Sequence, residues 1–273
     1  MRVASFNVFG IGGRDVGPAI AFAQGLVSPA DPELRAIGFQ EVWTAAQRDR
    51  VLASYCGSAP TETVRANVSI FRSGTGAWRA LVPRVPAVPS MPLSSGLVLC
   101  VKGPVADSFF VRYRGGAIPD SLAHKGVLAA LLAVPGEPRR AIVNTHMHDY
   151  SNDRFGSYRW SWLDTIVSCV QWINRNWNVR TLLLGDFNID SIEAYRDSAS
   201  ANYRLYARLI RIGMGDGARW YDVNARVNAG SPVRTTRSVC IDHHLVAGET
   251  PAGASFAAHQ TPASDHYLTV SRW

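Results

Sequence analysis

Apolar and polar positions follow two periods along this chain, and the switches between them outline its elements. Val3 to Val8 alternates loosely and predicts a strand, followed by a glycine-rich turn at Gly10, Gly12 and Gly13. Pro18 to Val27 carries Ile20, Phe22, Ala23 and Leu26 at helical spacing and breaks at Ser28-Pro29. Leu34 to Gln40 reads as a buried strand ending in Glu41. Thr44 then offers an N-cap to a short helix with Val51 and Leu52 inward. From Val64 to Val111, short apolar runs separated by Gly, Pro and Ser predict successive antiparallel strands. Val127 to Val134 and Ala141 to Thr145 flank Pro135-Gly136-Glu137-Pro138, a hairpin signal.

Ser157 to Trp177 is the clearest helix, with Leu163, Ile166, Val167, Val170 and Ile173 on one stripe. Thr181 to Leu184 is a strand running into Gly185-Asp186. A second helix is predicted over Ala194 to Ile212, with Tyr203, Tyr206, Leu209 and Ile210 inward. Ile241 to Val246 and Tyr267 to Val270 close the chain as strands. This β-rich order suggests stacked sheets with helices outside. With 15 prolines and 23 glycines among 273 residues, and no linker, repeat or charge block, one domain over residues 1–273 is expected. An apolar share of 47% excludes wholesale disorder.

Metal-capable or titratable side chains recur where apolar strands end. They stand in Phe6-Asn7, Gln40-Glu41, Asn144-Thr145-His146, Gly185-Asp186-Phe187-Asn188, Ile241-Asp242-His243 and Ser264-Asp265-His266. A strand end holds a side chain rigidly at the rim of a cleft. Each group has a plainer reading. Asn7 suits a turn, Glu41 a helix start, Asp186 and Asn188 an Asx turn, and Asp242 and Asp265 solvated strand ends. His146 and His148 alternate, so at most one should enter a site. Lys125, in His124-Lys125-Gly126, is either an exposed turn lysine or a phosphate contact. Arg112 and Arg114 read as solvated. Tyr150, Trp160, Trp162 and Trp177 either form an exposed aromatic surface or pack the core.

Taken together, these motifs resemble, in order and over nearly the whole chain, the endonuclease/exonuclease/phosphatase superfamily of pancreatic deoxyribonuclease. Gly-Asp-Phe-Asn at 185–188 and Ser-Asp-His at 264–266 carry the resemblance most specifically. It implies a four-layer αββα sandwich, that is, two packed, mostly antiparallel sheets with helices outside. It also implies a hydrolase that uses Mg²⁺, or Mn²⁺ or another divalent cation, to cleave a phosphodiester by in-line attack of water. By the same resemblance Glu41 is the principal metal ligand, with Asn7 and Asp265 near the metal. His266 is the base oriented by Asp242, and Asp186 orients water or is itself the base. His146, Asn188 and Lys125 meet the substrate phosphate.

Within the superfamily, Gln40-Glu41-Val42-Trp43, the run from Phe109 to Arg114, Asp120 to Leu128, and Ser264-Asp265-His266-Tyr267 look most like neutral sphingomyelinases. That implies a phospholipid head group as substrate and a transient membrane-surface contact. His148 stands where those enzymes often carry glutamine. A net charge of +7 and pI near 9.5 suit any polyanion and support the alternative, a deoxyribonuclease or DNA-repair endonuclease. A binding module that kept the fold and lost catalysis is a third reading. A monomer is expected. No stretch approaches a membrane span, and no signal peptide precedes the first strand, so a cytoplasmic protein is expected unless a leader has been trimmed. Four scattered cysteines exclude a C-x-x-C metal knuckle and leave disulfides open only for an exported protein.

Overall fold

A computed structural model describes residues 1–74, 77–86, 93–149, 156–211, 220–248 and 253–272. The first sheet is built from β1 (Arg2–Asn7), β2 (Leu34–Val42), β3 (Thr61–Arg65), β4 (Val68–Arg72), β5 (Trp78–Pro83) and β6 (Gly96–Lys102), with β13 (Ser255–His259) and β14 (Leu268–Arg272). Its order is β13-β14-β1-β2-β6-β5-β4-β3. The second sheet holds β7 (Val105–Arg112), β8 (Gly126–Leu132), β9 (Arg140–His146), β10 (Arg180–Asp186), β11 (Trp220–Asp222) and β12 (Asp242–Ala247), ordered β11-β12-β10-β9-β8-β7. Pairing is antiparallel except at β1–β2 and β9–β10.

Three apolar clusters mark the three contacts of a four-layer sandwich. Val3, Ala36, Leu97 and Leu99 meet Leu128, Ile142, Leu182 and Leu184 between the sheets. Outside the first sheet lie α1 (Gly17–Leu26) and α2 (Ala45–Cys56), which bury Ile20, Ala23, Val51 and Leu52 on it. Outside the second lie α3 (Ser157–Asn176), α4 (Ser191–Arg196) and α5 (Ala201–Leu209). The whole predicted α3 stripe is buried. Thr44 caps α2 through a full capping box with Gln47.

The predicted helix over Ala194 to Ile212 is instead two helices, and Ile212 lies outside the described residues. Asp197 turns its carboxylate back onto Ala199 N–H, and Ser200 restarts the chain as the cap of α5 by accepting Tyr203 N–H. The restart leaves Tyr203 43% exposed rather than inward, while Tyr206 and Leu209 are buried. Trp162 packs the core and Trp160 is exposed, whereas Tyr150 lies outside the described residues. Strands β11 and β13 and the short helix α6 (Val223–Val227) carry no periodic signal. All four cysteines are buried and free. Among the described residues no helix is long and apolar enough to cross a membrane.

Polar latches cross the apolar layer between the sheets. Gln40 of β2 donates to Asn144 Oδ1 of β9 at 2.7 Å, and Asn144 donates to Phe39 O and Val98 O. His244 of β12 lies 2.6 Å from Ser271 Oγ and 3.0 Å from Thr269 Oγ1, both on β14. Thr269 spends its own proton on Ser5 O, so it accepts from His244 Nε2–H, and Ser271 donates to Nδ1. Burial lowers the His244 pKa to about 4. The unfolded chain therefore binds a proton near pH 6.5 that the folded chain refuses, and stability is lost as pH falls from about 6.5 to about 4. Urea unfolding is expected to show roughly 3 kcal/mol of acid-side loss that His244→Gln removes. An identical pH dependence in both proteins would contradict this assignment.

Candidate active site

Register alone gathers the site. In the second sheet Asp242, Asp186 and His146 stand side by side across β12, β10 and β9, so all three project from the same face at one rim. In the first sheet Asn7 ends β1 beside Gln40, and Glu41 follows. The two parallel pairs deliver their C-terminal ends to this rim, where β1 and β2 face β10 and β9. Glycine makes the approach possible at Gly185: its φ is 138°, and a Cβ there would lie 2.0 Å from Thr145 O. Glu41 and Asn188 both hold left-handed backbone, at φ 62° and 51°, a strain that collects at functional sites.

Asn7 ties the two sheets together. Its Nδ2 donates to Glu41 Oε1 at 3.0 Å and to Asp186 Oδ2 at 3.1 Å, while its Oδ1 accepts Phe9 N–H. It is therefore no simple turn asparagine. Asp186 does form the Asx turn, accepting Asn188 N–H on Oδ1 at 2.9 Å, and its Oδ2 remains directed into the site. His266 Nδ1 lies 2.9 Å from Asp242 Oδ2, and Nε2 lies 3.6 Å from Asp186 Oδ2. Ser264 holds this segment by donating to Asn7 O and accepting His266 N–H.

His146 enters the site and His148 does not line it. Lys125 is 4% exposed, which removes the exposed-turn reading. Its ammonium meets Asp120 Oδ1 at 2.5 Å, His146 Nε2 at 2.9 Å and Met147 O at 3.1 Å. Those contacts use all three of its protons. A direct hydrogen bond from Lys125 to a phosphate therefore has no donor left, and its effect on an anion is that of a nearby charge. Because an ammonium only donates, His146 Nε2 must accept, and the ring proton sits on Nδ1. His146 Nδ1 is buried with no partner. Arg159 of α3 secures the Asn188 turn by donating to Asn188 O at 2.7 Å. Neither Asp120 nor Arg159 was singled out by pattern; each supports its neighbour from outside any strand-end motif.

Electrostatics separates the groups. Burial raises the Glu41 carboxyl above its ordinary range, with Lys125 opposing. Burial, then Lys125, pushes His146 well below the usual imidazole value and keeps it neutral. Burial raises Asp186 to about 7 against the pull of His266. For His266, burial is outweighed by Asp242 and Asp186, which together carry it up to about 10.

Glu41, Lys125, His146, Asp186, Asn188 and His266 line a cleft of about 380 Å³. Phe9, Ile11, Trp43, Leu93, Pro119 and Ala123 add apolar lining to it. Two acidic groupings compare as cation sites. Asp186, Asp242 and His266 cluster closely, but both Asp242 oxygens lie within hydrogen-bonding distance of His266 Nδ1, which leaves that cluster less open to a cation. Glu41 Oε2 is buried and has no partner, the state of a carboxylate suited to a cation, and Asp265 is exposed at the same mouth.

Solved structures share this fold at low identity. Sphingomyelinase C of Streptomyces griseocarneus matches 99% of this chain and 98% of its own, with TM-score 0.64 and 17% identity. Beta toxin of Staphylococcus aureus with bound magnesium ions matches over 99% and 98%, with TM-score 0.65 and 15% identity. Truncated Caenorhabditis elegans TDP2 matches over 99% and 95%, with TM-score 0.61 and 13% identity. No protein-family model matches the sequence, and no curated protein does.

Proposed function

We propose that this chain, which has the fold of the endonuclease/exonuclease/phosphatase superfamily, is a Mg²⁺-dependent phosphodiesterase acting on a phospholipid head group of the sphingomyelin type. The observation that carries the hydrolase reading is the unpartnered, buried Glu41 Oε2 in one cleft with the Asp242–His266–Asp186 relay. Glu41 would hold Mg²⁺ with Asp265 and Asn7 beside it, and the ion would neutralise phosphate charge as the alkoxide departs.

The chain's own groups do the rest. Asp242 fixes the His266 tautomer and stabilises its charged form. The Asp186–His266 pair takes the proton of the attacking water, and the two titrate as a unit. His146 Nδ1–H and the Asn188 amide donate to the phosphoryl oxygens as charge builds, with Lys125 adding a fixed positive field. A complete polar set is hard to reconcile with a scaffold retained for binding alone.

The lipid reading is supported by the apolar side chains that line the cleft along with its polar groups, which suit a substrate with apolar bulk next to its phosphodiester. Solved relatives include a sphingomyelinase. The net charge of +7 favours the second reading, a nuclease. Sphingomyelin vesicles, plasmid DNA and bis(p-nitrophenyl) phosphate, each with Mg²⁺ and with chelator, separate the two. Phosphocholine release that chelator abolishes is expected. Nicked DNA without phosphocholine would pass the case to the nuclease, and no Mg²⁺-dependent turnover of any substrate would end both.

A further inference from the structure

His148 lies outside the cleft, yet its ring is used on every edge. It is fully buried, stacked against Tyr158 at 5.1 Å and 9°, with Trp162 at 5.2 Å. Ala117 N–H points at Nε2 at 2.9 Å, and a backbone amide can only donate, so Nε2 holds a lone pair. The ring proton is then on Nδ1, which donates to Asp149 O at 2.9 Å with Asp120 Oδ2 alongside at 3.2 Å. Asp120 also accepts Asp149 N–H at 2.7 Å and holds the Lys125 ammonium that sets the His146 tautomer.

We propose that His148 is a positioning residue: its neutral ring pins the 115–121 loop so that Asp120 keeps Lys125 against His146, and a second proton undoes the pin. The proton would have to enter on Nε2, where it meets the Ala117 N–H head on. The resulting imidazolium would also draw Asp120 Oδ2 into an ion pair and compete with Lys125 for that carboxylate. The charged and titratable groups around the ring are Asp120 from the loop, Lys125 at the start of β8, His146 and Asp149 from its own segment, and Tyr158 from α3. Histidine is the side chain that takes up such a proton between pH 5 and 8. Glutamine can offer the same acceptor to Ala117 and the same donor to Asp149 without titrating.

The catalytic consequence rests on the phosphodiesterase reading; the pin itself does not. Hydrogen exchange of the Ala117 amide, followed by NMR in the wild type, His148→Gln and His148→Ala, tests the pin directly. Between about pH 7.5 and about pH 5.5 the wild-type amide should lose roughly fivefold more protection than in His148→Gln, and His148→Ala should lack that protection at both. With bis(p-nitrophenyl) phosphate and Mg²⁺, the ratio of wild-type kcat to that of His148→Gln should fall about fivefold over the same interval, with KM little changed. The acid limb of the Asp186–His266 pair is common to both proteins and cancels in the ratio. Equal Ala117 protection in wild type and His148→Gln at both pH values overturns the release by a second proton, and full protection in His148→Ala overturns the pin. Inactivity of the wild type would instead overturn the phosphodiesterase reading, while the amide result still decides the pin.

Discussion

Glu41→Gln is expected to lower Mg²⁺-dependent turnover by roughly 10³-fold or more and to leave the fold intact. The carboxylate is buried with Oε2 unpartnered, so in the ion-free protein it costs stability rather than supplying it. Glutamine keeps the shape and an oxygen for the Asn7 amide, but it loses the charge that would hold a hard divalent cation. The melting temperature should be unchanged or slightly raised. Isothermal titration with Mg²⁺ should show weakened binding alongside the lost rate. Full activity with unchanged Mg²⁺ affinity would move the cation elsewhere.

The second large effect is expected at the relay. His266→Ala should reduce kcat by roughly 10²- to 10⁴-fold, because it removes the imidazole that stands between the Asp242 and Asp186 carboxylates and shares the proton of that unit. Asp242→Asn is the sharper probe, since it removes charge while preserving size. An amide facing Nδ1 takes away the carboxylate that contributes most to holding the ring charged and in place, and a loss of similar size is expected. Single-turnover rates, with binding measured separately, place the loss in the chemical step. A wild-type rate in Asp242→Asn would show that His266 needs no partner and would remove the dyad.

What the sequence made legible follows from locality. The α3 stripe, the Thr44 cap, the hairpin around Pro135 to Pro138 and the strand-end polar groups are each written within a few neighbouring residues. Interactions between distant segments were not readable. Lys125 could be an exposed turn lysine or a phosphate contact by its neighbours, and its burial follows from Asp120 and His146, which supply two acceptors. His244 sits in an apolar strand and gives no hint that Ser271 and Thr269 await it on the other sheet. The break between α4 and α5 is local, in the cap-forming Asp197 and Ser200, but the apolar spacing of Ala194, Leu205, Tyr206 and Leu209 on either side masks it.

The two parallel strand pairs bring Asn7 and Glu41 from one sheet to His146 and Asp186 from the other, so the cleft is a seam rather than a hollow in one body. The alignment of the chemistry is then the alignment of the sheets, which Gln40–Asn144 and the His244 latch keep in register. Away from Arg159 and Tyr158, the outer faces of the helices can drift in sequence at little cost to turnover. A substitution in the middle layer, far from any substrate, is expected to slow the reaction before it melts the protein.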